Sequence, residues 1–257
     1  MNALHAIILG IIEGITEFLP ISSTGHMILT ANLLHLTETD FVKSFEIFIQ
    51  LGAILAVVIL YWKRVLLSWK TFSRVAVAFI PTAVIGLLAY KFVKAHLLGN
   101  MHVVLWSLFL GGIFLVVFEY FQKGKTARVN TIESITYTQA LWIGIFQAIA
   151  IIPGVSRSAA TIVGGLALGI ARDTIVEFSF MLAIPTMLAA TGLDLIKSGF
   201  HFSGQETEML GIGFVVAFIS AFFAIKFLLD YVKNHTFVSF GVYRIGISIA
   251  FLLYLIY

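Results

Sequence analysis

The chain is 257 residues long, 60% of it hydrophobic and 11% charged, with no cysteine and a formal net charge of +3. Its mean hydropathy of +1.03 excludes a soluble globular, disordered, collagenous or disulfide-built protein and leaves an integral membrane protein without a sizeable soluble domain. The missing cysteine removes thiolate metal sites, iron–sulfur clusters and a cysteine nucleophile, and the sixteen Lys and Arg form no basic run interleaved with aromatics, which excludes a nucleic-acid surface.

Residues 2 to 35 come first. Glu13 and Glu17 interrupt this apolar stretch and no basic segment precedes it, so no cleavable signal peptide is expected. Pro20 and the Ser-Ser-Thr-Gly run after it split the stretch into two halves, neither long enough to cross a bilayer. Residues 44 to 62, 75 to 93 and 102 to 121 are each long and apolar enough for a spanning helix. After the polar linker 122 to 136, residues 137 to 170 are split in the same way at Pro153, and spans are expected again at 175 to 197, 208 to 230 and 237 to 256. A helix broken at mid-depth is tolerated only where its freed backbone groups are buried in protein or face water, so both split stretches read as re-entrant helix-loop-helix hairpins.

The order, hairpin then three spans, occurs twice within a single membrane domain covering 1 to 257, as repeats 1 to 121 and 137 to 257. A shift of 134 places Gly10, Glu13, Ser22 and Ser23 on Gly144, Gln147, Ser156 and Arg157, and a shift of 133 places Phe45, Leu55 and Ala56 on Phe178, Leu188 and Ala189. Three spans per half, an odd number, turn the second half over. The predicted fold is therefore an all-α polytopic membrane protein, six transmembrane helices plus two re-entrant hairpins in an inverted-topology repeat. Placing loops 63 to 74 and 122 to 136 inside the cell puts nine basic residues there (Lys63, Arg64, Lys70, Arg74, Lys123, Lys125, Arg128, Arg172, Lys233) against four outside (Lys43, Lys91, Lys94, Lys197).

The first hairpin carries Glu13 and Glu17 four residues apart, hence on one helix face about 6 Å apart. Two like charges near the bilayer centre need a cation, a partner or a shared proton, the alternative being interfacial helix capping. Ser22, Ser23, Thr24, Gly25 and His26 follow the break, at the start of the second half-helix, where unpaired N–H groups and the helix dipole attract anions and phosphate above all. His26 adds a group suited to proton transfer near neutrality. The second hairpin offers Gly154, Ser156, Arg157, Ser158 and Thr161; an intramembrane arginine faces an anion or water, and its planar fork suits phosphate, the alternative being an ion pair with Glu13 or Glu17. Together the hairpins would enclose a phosphate pocket with acid–base groups beside it. Glu46 and Gln50 share a helix face that could line it, and Arg244 is either a second anion contact or an anchor of the last helix. Glu119, Glu177 and Asp194 lie near helix ends and read as interfacial; Lys226 and Asp230 read as a mutually neutralising i, i+4 pair.

EGITEFLPISSTGH (13 to 26), PGVSRSAAT (153 to 161) and EFSFMLAIP (177 to 185) closely resemble the undecaprenyl pyrophosphate phosphatases linked to bacitracin resistance, and the likeness spans essentially the whole chain. The resemblance implies removal of the terminal phosphate from a polyprenyl pyrophosphate lipid, ten helical segments, an outward-opening site in the bacterial inner (plasma) membrane, and a divalent cation, magnesium or calcium. Carried over, it places the acidic motif on Glu13 and Glu17, the serine and histidine roles on Ser23 and His26, and phosphate binding on Arg157 with Ser156, Ser158 and Thr161. The implied mechanism is attack by Ser23, or by a water in its place, with His26 handling the proton, Arg157 and the helix N-termini stabilising charge, and Glu13 with Glu17 holding the metal. The expected partners are the lipid substrate and the bilayer, with no nucleic acid, and a homodimer is left open. The chief rival is a polyprenyl-phosphate flippase or transporter, since inverted repeats with broken helices are a transporter architecture. A phosphatidic-acid-type phosphatase fits poorly, because SAATIVGGLALG (158 to 169) after Arg157 lacks the second histidine that signature carries.

Overall fold

In a computed structural model, which describes residues 1–37, 39–97, 100–198 and 202–256, polar side chains start most of the helices. Asn2, Thr39, Ser68, Asn100, Thr136 and Ser203 each accept a backbone N–H from the first turn, opening α1 (Ala3–Thr16), α3 (Asp40–Leu67), α4 (Trp69–His96), α5 (Met101–Gln122), α6 (Tyr137–Ala148) and α9 (Gly204–Asn234). The remaining helices are α2 (Ser23–Leu33), α7 (Arg157–Ala167), α8 (Arg172–Ser198) and α10 (Val238–Ile256). Among the described residues the β structure is one isolated parallel bridge, Val129 to Ile170, so the chain is all-α.

Among the described residues six helices are long and apolar enough to cross a membrane: Asp40–Arg64, Trp69–Ala89, Met101–Gln122, Arg172–Leu193, Gly204–Asn234 and Val238–Ile256. They overlap the six spans expected, with the second and fourth ending four residues earlier than expected. Their outward faces are apolar, with Leu88 and Trp69 82% and 75% exposed, the surface that a bilayer rather than water would cover. By contrast α1, α2, α6 and α7 have 14, 11, 12 and 11 residues; at 1.5 Å per residue the longest reaches only about 21 Å, short of a hydrocarbon core of about 30 Å.

The two breaks are built alike. Pro20 and Pro153 lack the N–H that a continuing helix would bond, and the chain re-enters helix through Ser22 and Ser156, whose φ angles of 72° and 78° are left-handed. An L side chain adopts that conformation only at a cost of about 1 kcal/mol or more. Each serine repays part of it locally, its Oγ accepting from Gly25 N at 3.3 Å and Ala159 N at 3.2 Å respectively. Both eleven-residue helices then end at Leu34 and Leu168, with φ/ψ of −82°/3° and −82°/4°, followed by left-handed His35 and Gly169.

Packing crosses between the halves. α1 lies along α9, α6 along α4, α3 against both α8 and α9, and α5 against α10. Two glycines 134 residues apart permit close approaches: a Cβ on Gly10 would stand 2.8 Å from the Gly213 carbonyl oxygen of α9, and one on Gly144 would press into the Ala78 carbonyl of α4. The main core gathers Phe18, Phe178, Phe180 and Phe237 under the first break, with Phe18 edge-on to Phe180 at 5.4 Å.

Glu119 lies in the last turn of α5, near the helix end as expected, and is buried there: Arg172 grips both its carboxylate oxygens, and it accepts the N–H of Phe237 at 3.0 Å, fastening the start of α10. One expectation about peripheral charges is corrected. Asp230 bonds Lys233 at 3.1 Å, not Lys226, which lies instead over the Phe222 ring at 4.3 Å. The side chains of Lys94, Asp194 and Lys197 lie outside the described residues.

Candidate active site

The breaks meet around one cavity of about 220 Å³, walled by Glu17, Ser22, Ser23 and Thr24 from the first and by Pro153, Gly154, Ser156 and Arg157 from the second. Gln50 of α3 lies in its wall, as its helix face suggested; Thr82 of α4, Gln147 of α6 and Thr186 of α8 complete its polar lining. The centre of the site is Glu17. One carboxylate oxygen accepts the Ser23 hydroxyl at 2.5 Å and the other accepts Arg157 Nη2 at 2.8 Å, both groups being largely buried. Of the pairings considered for Arg157, the one present is with Glu17. The guanidinium is steadied further by Nη1 donating to the Ser179 carbonyl at 2.8 Å and by the Phe18 ring 5.7 Å away. Its Nε is buried without an acceptor, a donor left over for a ligand.

Several sequence-selected residues sit behind the wall and hold it. Ser158, fully buried, donates to the Leu19 carbonyl at 2.8 Å and so ties the second break to the first. Thr161 meets the Ser179 hydroxyl at 2.6 Å and bonds back to its own helix. Gly25 packs its Cα against Leu108, where a Cβ would come within 3.2 Å. His26 is also off the cavity. Its Nδ1 is 2.8 Å from the Ser22 carbonyl, which only a protonated Nδ1 can satisfy, so Nε2 accepts from the Tyr243 hydroxyl, also at 2.8 Å. The two rings stack at 5.5 Å. The Ser23 hydroxyl donates to Glu17, and His26 bonds Ser22 and Tyr243 instead.

Arg244 is no second anion contact. Buried to 1% exposure, it spends its donors on backbone carbonyls: Nη1 on Val155 (2.9 Å) and Pro20 (3.4 Å), Nη2 on Gly154 (2.9 Å) and Ser107 (3.0 Å), and Nε on Leu108 (3.4 Å). Both breaks thus hang from one guanidinium.

Glu13 and Gln147, among the described residues, carry buried carboxylate or amide oxygens without a partner. Glu13 is fully buried one turn before Glu17, and neither of its oxygens has a hydrogen-bond partner; Glu17 and Glu46 are near enough to repel it and Arg157 to attract it. Gln147 is the second. Thr82 and Thr186 donate their hydroxyl protons to the Gly144 and Leu182 carbonyls, so both present lone pairs to the Gln147 NH2, at 2.8 and 3.1 Å. That fixes the amide's orientation and leaves its Oε1 buried without a donor, at a cost of about 1–3 kcal/mol. If that oxygen serves a ligand in the cavity, Gln147→Leu keeps its thermal stability in detergent and loses about tenfold in turnover, the worth of one hydrogen bond; a lower melting temperature with full turnover would make the amide a packing element.

The family described as "Bacitracin resistance protein BacA" matches residues 6–250. The chain belongs to this family. It is 51% identical over 254 residues to a protein of Sulfurihydrogenibium sp. (strain YO3AOP1) named undecaprenyl-diphosphatase, covering 99% of this chain and 100% of that one. Proteins of the same name from Aquifex aeolicus (strain VF5) and Wolinella succinogenes are 51% and 52% identical over 98% and 99% of both chains.

Proposed function

We propose that the chain is an undecaprenyl-diphosphatase, a multi-pass membrane enzyme that hydrolyses undecaprenyl pyrophosphate to the monophosphate and inorganic phosphate, and that the cavity between the two breaks is where it does so. The observation that carries this site is the hydroxyl of Ser23 held at 2.5 Å on a carboxylate that is itself held at 2.8 Å by a guanidinium. A nucleophile, a proton acceptor and an anion-binding fork share one small space, in a chain whose full-length relatives bear the phosphatase name.

The terminal phosphate enters beside Arg157, whose Nε is already without a partner, and against the N-terminus of α2, where backbone N–H groups favour its charge. Ser23 Oγ attacks the terminal phosphorus as the bond to the bridging oxygen breaks, and its proton passes to Glu17; undecaprenyl phosphate leaves. Water then cleaves the phosphoserine to inorganic phosphate, and Ser23 regains its proton. In the loose transition state of phosphoryl transfer little covalent help is needed, so a carboxylate partly neutralised by Arg157 is an adequate base, and charge stabilisation by Arg157 is the larger contribution. His26 positions the start of α2 through the Ser22 carbonyl; Ser156 and Thr24 line the phosphate's seat.

Glu13, with two unpartnered oxygens, and Glu17 beside it suit a hard divalent cation, magnesium or calcium, which takes few protein carboxylates when phosphate oxygens complete its shell. When bound, such an ion neutralises negative charge on the pyrophosphate. Chelation is accordingly expected to abolish phosphate release and excess magnesium or calcium to restore it; activity persisting in a chelator would remove the ion from this account.

The fold reading extends in the same direction. Residues 1–121 and 137–257 form two halves related by inverted topology, with α1–α2 and α6–α7 as re-entrant hairpins; the support is the paired left-handed serines 134 residues apart and the exchange of packing, α1 on α9 and α6 on α4. With the basic-rich loops inside the cell, the cavity opens outward from a bacterial plasma membrane.

The test is inorganic phosphate released from undecaprenyl pyrophosphate by the purified protein. Ser23→Ala is expected to lose at least about 10³-fold, as when a nucleophile is removed and only the binding groups remain, and wild type to yield a trapped phosphoserine at position 23. Full activity of Ser23→Ala would hand the attack to water, and lipid reorientation without phosphate release would return the chain to the transporter reading.

A further inference from the structure

The end of the bundle at which α3 finishes holds a second cavity, of about 500 Å³, between α3, α8 and α9. It lies outside everything assigned above. Lys63, Arg64 and Lys226 supply three cations to its wall and Glu177 a single carboxylate, with Trp62 beside them and leucines behind. Arg64 pairs with Glu177, which leaves two ammonium groups in one concavity. Neither has an ion pair among the described residues: Lys63 lies over the Trp62 ring at 5.6 Å and Lys226 over Phe222 at 4.3 Å. The carboxylate that sequence spacing offers to Lys226, Asp230, is bonded to Lys233 instead.

Depth identifies the ligand. Lys63 and Arg64 close the span Asp40–Arg64, Glu177 lies in the second turn of the span Arg172–Leu193, and Lys226 sits about two turns before the end of α9. That is the level at which lipid headgroups lie, where lysines extend toward the interface and Trp is favoured. A volume of about 500 Å³ is within the range of small-ligand sites, and basic pockets between membrane helices suit anionic headgroups. We propose that this cavity binds the phosphate of an anionic membrane lipid, with Lys63 and Lys226 facing the phosphate and the apolar residues receiving the adjoining acyl chains. Inorganic phosphate has the same charged group without the chains, so the two are separable by experiment.

Native mass spectrometry of the full-length protein in detergent, titrated with phosphatidylglycerol and separately with phosphatidylcholine, tests this. Wild type is expected to retain phosphatidylglycerol preferentially, and Lys63→Gln combined with Lys226→Gln to weaken that retention about 30-fold, the effect of two surface cations. Phosphate release from undecaprenyl pyrophosphate stays unchanged, since neither lysine touches the first cavity. The Lys63→Arg, Lys226→Arg chain keeps the preference, which separates loss of charge from loss of fold. Equal retention of the two lipids, or unaltered phosphatidylglycerol binding in the glutamine variant, would overturn the proposal. Displacement of the lipid by inorganic phosphate at equal concentration overturns the lipid assignment too, and failure to displace it supports the acyl contribution.

Discussion

Arg157→Lys is expected to cut turnover by about 10³-fold while the protein remains folded, the scale on which an arginine that stabilises a transferring phosphoryl group acts. Lysine keeps a positive charge beside Glu17, so the buried carboxylate is not stranded. What it loses is geometry. Arg157 serves Glu17 through one nitrogen, the Ser179 carbonyl through a second, and retains Nε for a third partner; a single ammonium cannot hold both anchors and a phosphate in one plane. Arg157→Ala adds a stability loss, because it leaves Glu17 buried with only the Ser23 hydroxyl for company, and Glu17→Gln in the same chain should recover part of that loss. The cycle of Arg157→Lys, Glu17→Gln and the double variant, measured as kcat and KM for phosphate release, is expected to be strongly non-additive in kcat, as for groups that work as a unit. A lysine variant with wild-type kcat would take Arg157 out of the chemistry.

The second large effect belongs to a residue that touches no substrate. Arg244→Ala strands the carbonyls of Pro20, Gly154 and Val155, takes a second donor from the helical carbonyls of Ser107 and Leu108 and opens a void where a fully buried side chain stood. Loss of such a buried network is expected to cost about 3–5 kcal/mol, visible as a large drop in melting temperature in detergent. Arg244→Lys should recover only a minority of it, since three donors on one atom cannot reach five carbonyls spread over three segments. Turnover falls in both variants because the two breaks lose their shared anchor and Ser23 and Arg157 lose register. A thermal transition unchanged in Arg244→Ala would show that Ser158 and the helix packing hold the breaks unaided.

How far the sequence foretold these features depends on the kind of interaction. Spans are a composition property, and all six are legible from apolar length; the breaks are legible because proline, glycine and clustered hydroxyls have no other reason to interrupt a membrane helix. The neighbourhood of Ser23, Glu17 and Arg157 was legible from burial cost, since charges at that depth must meet each other or a ligand. Partners drawn from backbone carbonyls were not. Arg244 is satisfied by main-chain oxygens 89 to 224 residues away, and any residue type would have supplied them. The pairing of His26 with Tyr243, 217 positions apart, and the Thr82–Gln147–Thr186 cluster lie beyond local pattern for the same reason: each polar group looks unremarkable in its own helix. Lys226 misled because helical spacing offered Asp230 at i+4, while Lys233, at i+3 from Asp230, competed for the same carboxylate.

The exchange of helices between halves also sets a timetable for biogenesis. α1 has its principal packing surface on α9, which begins nearly two hundred residues later. At translation rates of about 5–20 residues per second the ribosome needs roughly 10–40 s to deliver it. During that interval α1 is too short to cross the bilayer, and Glu13 and Glu17 have neither Arg157 nor the surrounding protein to shield them. The amino-terminal segment therefore meets its principal packing partner only after α9 has emerged. In this chain Glu13 and Glu17 are among the first residues made and among the last to be buried.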